Sequence, residues 1–189
     1  YLQLLVEKRV DGIILASGFQ SGEASVNASA GAIPVVSLCA RFDTVQSSFV
    51  VIDNERGGFL ATRHLIEQGY NSIGFIGTQS DGYSEGQRFK GYRLALEKFN
   101  LPFEKKYIFA GDLKRETGYE IIRRITASGD YHRALFVEND LMALGVIQGI
   151  KEAGLLDKVI LLPAVRAELK WIEAVHDPKY IRRFEEVCL

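Results

Sequence analysis

Short runs of β-branched and aromatic residues alternate with amphipathic helical stretches over most of this chain, and this alternation limits the folds open to it. The strand-like runs are residues 10–15, 33–38, 49–52, 73–77, 107–110 and 134–137. Gly69 stands where the helix after the third run should end. Strands that alternate with helices predict an α/β fold with parallel sheets, whose ligands bind beyond the carboxyl ends of the strands.

The buried faces of the helices are predicted from their apolar spacing. The predicted positions, helix by helix, are Phe89, Tyr92, Leu96 and Phe99; then Ile121, Ile122 and Ile125; then Ala143, Ile147 and Ile150. Asp140 is assigned to the cap of the last helix rather than to a ligand. Gly57, Ala61 and Leu65 share one face of an earlier helix, where another backbone could approach closely.

The charge balance argues against a surface built mainly to bind nucleic acid. Lys and Arg number 23 and Asp and Glu 24, a net charge of -1, whereas phosphate binding needs a basic excess. No apolar run is long enough to span a bilayer, and no secretory signal is visible. Cys39 and Cys188 lie far apart without a CxxC pair, which favours a reduced, cytoplasmic compartment.

No motif for catalysis or cofactor binding is visible. His64, His132 and His176 have no partners at the spacing of metal ligands. Gly74 and Gly77 do not make a dinucleotide fingerprint, and a GxSxG elbow is missing. The sequence therefore predicts no enzyme, no metal site and no cofactor.

Three blocks of sequence, in this order and spacing, carry a resemblance to a known family. They are VIDNERGG at residues 51–58, continued by ATRHLI and by Gly69-Tyr70; RFKGY at residues 88–92; and ALFVENDLMALG at residues 134–145. Together they resemble the effector-binding core of the lactose-repressor family of bacterial transcription regulators. The resemblance covers roughly residues 1–162 and does not include residues 163–189.

The resemblance implies two Rossmann-like lobes with parallel sheets, as in type I periplasmic binding proteins, and a small-molecule effector in the cleft between them. Residues 1–70 would form the N-terminal lobe, incomplete at its start, and residues 71–162 the C-terminal lobe. Residues 163–189 are predicted as a helical tail of unknown role, which leaves the completeness of the second lobe open. The family also implies a cytoplasmic homodimer that contacts DNA only through a helix-turn-helix outside this chain. The alternative is a periplasmic sugar-binding protein of a transport system, which shares the two-lobed design.

Six residues are candidates for the effector site. Arg88 resembles the family arginine that reaches into the cleft; it is expected at the start of a helix, and its fork of donors suits sugar hydroxyls or a carboxylate. Asp53 and Asn139 each follow a predicted strand and could bind hydroxyls or cap the next helix. The other three, on loops that should face the cleft and either bind there or simply pack, are Ser17, Phe19 and Tyr83. The sequence thus predicts a sensor of a small, sugar-like effector and leaves its identity open.

Overall fold

The computed structural model of the protein describes residues 2–16, 33–39, 48–78, 83–129 and 134–159. The described strands form two sheets, each of three parallel strands. The α/β fold with parallel sheets that the sequence predicts is therefore confirmed. Ser17, Phe19 and the predicted helical tail at residues 163–189 lie outside the described residues.

Within the described residues, strands and helices alternate from the third strand onward. The strands are β1 (Ile13–Ala16), β2 (Val35–Leu38), β3 (Ser48–Val50), β4 (Ile73–Gly77), β5 (Ile108–Ala110) and β6 (Ala134–Val137). The α-helices are α1 (Leu2–Glu7), α2 (Asn54–Glu67), α3 (Tyr83–Lys98), α4 (Arg115–Ser128) and α5 (Asp140–Glu152), and single 3-10 turns lie at Lys105–Tyr107 and Leu156–Lys158. The first sheet has the order β1-β2-β3 and the second the order β5-β4-β6, so β4 is the central strand of the second sheet.

Each sheet has its own apolar core. In the first, Ile13 and Leu15 of β1 face inward and pack with Val35 of β2 and Leu2 of α1, following the two-residue period of a strand. In the second, all five residues of β4 are buried, as expected for a central parallel strand covered on both faces. Alternate β4 residues enter two different cores, one beneath α2 and α3 and the other beneath α4 and α5.

The core beneath α2 and α3 is built around aromatic rings. The ring of Phe75 lies 5.0 Å from that of Phe89, 5.3 Å from that of Tyr92 and 5.4 Å from that of Phe136, measured between centroids. These separations lie in the favourable range for tilted and edge-to-face pairs. The Tyr92 hydroxyl donates a 2.8 Å hydrogen bond to the Ile73 carbonyl, so its buried polar end is satisfied.

Helix α2 packs against α3 and the second sheet. Leu65, Ile66 and Tyr70 lie against the core of that sheet. The two helices touch through Gly58 and Gly91, where an added Cβ would collide with the backbone of the facing helix. The lobe boundary near residue 70 stays a prediction, and α2, on the N-terminal side of that boundary, makes these contacts with the C-terminal sheet.

Several predicted helix details are wrong by one or a few residues. The close backbone approach on α2 is at Gly58, because Gly57 has no neighbouring heavy atom within 4 Å of an added Cβ. Phe99 lies beyond the end of α3 and is 36% exposed. Ile147 is 49% exposed, since α5 turns Met142 and Val146 into the core instead. The predicted stop at Gly69 is confirmed by its φ of +87°, which favours glycine.

Candidate functional site

The carboxyl ends of β4 and β6 lie side by side and bring two polar residues together. Glu138 follows β6 and is only 5% exposed. Its Oε2 accepts hydrogen bonds from the backbone N–H of Thr78 at 2.5 Å and from the Thr78 hydroxyl at 3.2 Å. The Glu138 N–H donates to the Ile76 carbonyl at 2.9 Å, which extends the pairing of the two strands. The buried carboxylate therefore lies at the edge of the sheet, beyond the carboxyl ends of the strands, where the ligands of parallel sheets bind.

Arg88 reaches the same edge from α3. Its Nε donates to Oδ1 of Asn54 at 3.0 Å, and its Nη1 donates to the carbonyl oxygen of Glu138 at 3.1 Å. The side chain is half-buried, and Nη2 donates no hydrogen bond to any part of the chain that the structure describes. Because α3 begins at Tyr83, Arg88 lies in the second turn, and the expectation that it starts the helix is wrong. Two bonds thus hold the guanidinium, through Nε and through Nη1, and Nη2 has no partner among the described residues.

Asn54 is the first residue of α2 and is only 5% exposed. Besides accepting from Arg88, it donates from Nδ2 to the Ile52 carbonyl at 3.4 Å, and its backbone N–H donates to the same carbonyl at 2.9 Å. The sequence analysis missed both Asn54 and Glu138 as site residues. Both stand next to a residue that was selected and lie inside the sequence blocks that carry the family resemblance, and these are the signals that could have found them. Their contacts to Arg88 span 34 and 50 residues of sequence, so no local pattern reveals those contacts.

Asp53 and Asn139 both cap helices, one of the two roles left open for each. Oδ1 of Asp53 accepts from the Arg56 N–H at 2.9 Å, and Oδ1 of Asn139 accepts from the Met142 N–H at 3.1 Å. Asn139 also donates from Nδ2 to the Leu113 carbonyl at 2.9 Å. The assignment of the α5 cap to Asp140 is therefore wrong, since Asp140 is the first helical residue. Effector binding by Asp53 and Asn139 stays a prediction.

Tyr83 is the first residue of α3, a helix end rather than a loop. Its role in binding also stays a prediction. Ser17 and Phe19 lie outside the described residues.

An open pocket of about 330 Å³ lies beside Arg88, at the start of α2. It is lined by Val51, Ile52, Asp53, Asn54, Glu55 and Gln87. A volume of this size suits a small ligand. A larger cavity of about 440 Å³ lies between β5 and the second half of α4, next to Lys106, which precedes β5. This cavity runs along the whole of β5, an edge strand among the described residues, whereas the ligands of parallel α/β sheets usually bind beyond the carboxyl ends of the strands.

The edge formed by the carboxyl ends of the second sheet's strands also carries a strongly acidic carboxyl group. Asp112, just after β5, accepts a hydrogen bond from the Thr117 side chain and another from Lys114, and these bonds lower the pKa of its carboxyl to about 2. Carboxylates and amides that accept hydrogen bonds, beside a guanidinium that donates them, are the groups that bind hydroxyl-rich ligands. Among the described residues, no cluster of three or more His, Cys, Asp or Glu side chains could hold a metal ion. In the same part of the chain, no helix is both long and apolar enough to cross a membrane.

Comparison with known proteins identifies the family. The sequence profile described as "Periplasmic binding proteins and sugar binding domain of LacI family" matches residues 1–161. The chain belongs to this family. The resemblance to the lactose-repressor family is therefore confirmed over the range where the sequence blocks predict it. Its end at residue 161 agrees with the predicted end of the resemblance near residue 162.

Individual relatives are also transcription regulators. A PurR-type helix-turn-helix transcriptional repressor of Yersinia pestis (strain Pestoides F) is 36% identical over 160 residues, covering 82% of this chain and 46% of the relative. A LacI-family regulator of Enterococcus faecium, solved with bound ribose, is 27% identical with a TM-score of 0.68, and the match covers 82% of this chain and 57% of that one. The CelR regulator, solved with cellobiose, is 29% identical with a TM-score of 0.70, covering 81% and 47%. The chain thus spans about half the length of the curated relatives that it matches.

Proposed function

We propose that this chain is the effector-sensing domain of a DNA-binding transcription regulator, and that it binds a sugar or related small molecule at the edge that carries Arg88. The observation that carries the proposal is the state of the Arg88 side chain. Two protein acceptors hold Nε and Nη1, while Nη2 has no acceptor among the described residues. A fixed guanidinium with an unused edge is suited to donate to the hydroxyls or the anionic group of a ligand.

The family supports the sugar class and the regulatory role. Relatives have been solved with ribose and with cellobiose, and another is a helix-turn-helix repressor. We therefore favour a cytoplasmic regulator over a periplasmic transport protein. Contact with DNA would be made through a helix-turn-helix outside this chain. No catalytic step is proposed, because the described polar groups at the site suit binding and the relatives are regulators.

A homodimer belongs to the same proposal, and helix α5 offers a surface for it. Leu141, Leu144 and Ile147 recur every three residues on one side of this helix and are 54%, 51% and 49% exposed. A contiguous apolar stripe of this kind marks an interaction surface more often than a solvated one. The face of α2 that carries Gly57, Gly58 and Ala61 is a weaker site for a second copy, because Gly58 is already covered by the backbone of α3.

The test is ligand binding by the protein and by an Arg88→Ala variant. D-ribose, cellobiose and a panel of further sugars and sugar phosphates are screened by thermal shift, since a ligand of the folded state raises the melting temperature with concentration. For a ligand that binds, we expect Arg88→Ala to weaken the affinity by about 1–3 kcal/mol, the cost of losing hydrogen bonds from a charged donor. Titration calorimetry measures the difference.

The matched control is Arg93→Ala, an exposed arginine on the same helix whose guanidinium lies 5.2 Å above the Phe103 ring. It should bind the ligand as the unchanged protein does. Equal affinities of Arg88→Ala and Arg93→Ala would contradict the assignment of Arg88. A cooperative melt that no member of the panel shifts would contradict sugar sensing.

A further inference from the structure

The Asn54 side-chain amide has only one orientation that fits its neighbours. The Nε of an arginine is always a donor, so the Asn54 atom facing it at 3.0 Å must be the oxygen. The Nδ2 group then faces the Ile52 carbonyl, an acceptor, at 3.4 Å. A flipped amide would set two donors against each other on one side and two acceptors on the other. The Ile52 carbonyl and the Nε of Arg88 therefore favour the same orientation of the Asn54 amide.

The two acceptors of Arg88 together fix the plane of its guanidinium. Nε lies at the base of the fork and Nη1 on one of its arms, so bonds to Asn54 and to the Glu138 carbonyl leave the group no rotation about its last side-chain bonds. The Glu138 carbonyl is part of the strand edge and cannot be removed by substitution. Of the two acceptors that hold Arg88, only the Asn54 oxygen can therefore be removed by substitution.

We propose that Asn54 is a positioning residue for the effector site: it orients Arg88 through Nε so that the unused Nη2 edge is directed at the ligand. The inference rests on the proposed function, because it gives Arg88 the ligand contact. Asn54 itself need not touch the ligand. A side chain that is fixed before binding loses less conformational entropy when the ligand arrives, so the affinity for the ligand is higher.

The first experiment needs no ligand. In 15N-labelled protein, the Arg88 Nε–H resonance is assigned by its disappearance in Arg88→Lys, and its exchange with water is measured. We expect a resolved, slowly exchanging signal in the unchanged protein and in Asn54→Asp, which keeps the acceptor oxygen. In Asn54→Ala the Arg88 Nε–H signal should exchange rapidly with water and shift to the position of the solvent-exposed arginines. Asn71→Ala removes an exposed amide elsewhere and is the matched control, with no change expected.

The second experiment measures affinity with D-ribose and cellobiose as probes. Asn54→Ala should weaken binding by about ten- to a hundredfold, as for a lost hydrogen bond to a charged group. Asn54→Asp should bind more tightly than Asn54→Ala because it keeps the acceptor for Nε, but less tightly than the unchanged protein because its second oxygen faces the Ile52 carbonyl. If Asn54→Ala does not melt cooperatively, Asn54→Leu removes the same acceptor and keeps the number and branching of the side-chain heavy atoms. An unchanged Arg88 Nε–H signal in the acceptor-less variant overturns the inference. If neither sugar binds the unchanged protein, the proposal that the chain senses these two sugars is contradicted. The ligand-free Arg88 Nε–H spectra still decide the role of Asn54.

Discussion

The contact between α2 and α3 allows a quantitative prediction with a control one residue away. A Cβ added at Gly58 would lie 2.2 Å from the carbonyl oxygen of Arg88 and 2.9 Å from its carbonyl carbon. Both atoms belong to the backbone, so neither can rotate aside. To restore a separation of 3.0 Å, the nearest that real Cβ atoms approach, the helices must move apart by about 0.8 Å. A Cβ at Gly57 would meet nothing within 4 Å.

The two alanine variants should therefore have opposite effects on the free energy of unfolding. Alanine is favoured over glycine in a helix by about 1 kcal/mol, and at Gly57 this gain is unopposed. At Gly58 it is set against overpacking, which costs about 1–3 kcal/mol in a close-packed interior and more where backbone must move. We expect Gly58→Ala to lose about 2 kcal/mol net, which corresponds to a melting temperature lower by about 4–8 °C for a chain of this length.

Urea unfolding and thermal melts of both variants measure this difference. Since the collision is with the backbone of Arg88 itself, Gly58→Ala should also weaken ligand binding, whereas Gly57→Ala should not. Equal stabilities for the two variants, within about 0.5 kcal/mol, would refute the close contact between α2 and α3 as the reason for glycine at position 58.

Three other predictions follow from particular contacts. Burial raises the pKa of Tyr92 to about 12, so the neutral hydroxyl stabilises the fold fully below pH 10, and this stability is lost as the pH rises from 10 to 12. Urea unfolding at pH 9 and at pH 11.5 should therefore show a fall in the free energy of unfolding that is smaller in Tyr92→Phe. Asn139→Ala should lower the free energy of unfolding by about 1–2 kcal/mol through loss of the α5 cap, and Asp140→Ala by less than about 0.5 kcal/mol; equal losses would contradict the cap assignment. Leu144→Asp should shift a homodimer toward monomer in sedimentation experiments without lowering the melting temperature of the monomer, because this side chain is 51% exposed.

The sequence predicted features that depend on nearby residues. The second sheet and its helices follow from apolar periodicity, and the buried stripe of Ile121, Ile122 and Ile125 is confirmed. The stop at Gly69 follows from the left-handed backbone that ends many helices. Arg88 was found through the family resemblance, and the structure places it at the predicted edge of the second sheet.

The errors concern which side of a helix is covered, and this depends on parts of the chain that are far away in sequence. Ile147 and Val146 are equally apolar, and only the position of α4 decides that Val146 is buried. Likewise, nothing in the sequence distinguishes Gly57 from Gly58, and only the position of α3 decides that Gly58 is covered. Asn54 could not be recognised for the same reason, because its partner Arg88 is 34 residues away.

The hydrogen bonds at the site also separate the candidate binding residues from one another. Asn139 commits both its oxygen and its nitrogen to the protein, to the Met142 N–H and the Leu113 carbonyl. Asp53 commits one oxygen to the α2 cap and is exposed, so its second oxygen is available to a hydroxyl. Arg88 donates from Nε and Nη1, and its Nη2 has no acceptor within the described part of the chain. A ligand that bonds to the groups still available would therefore lie between Nη2 of Arg88 and the carboxylate of Asp53, both beside the pocket at the start of α2. Asn139 would act mainly by holding neighbouring parts of the protein in place.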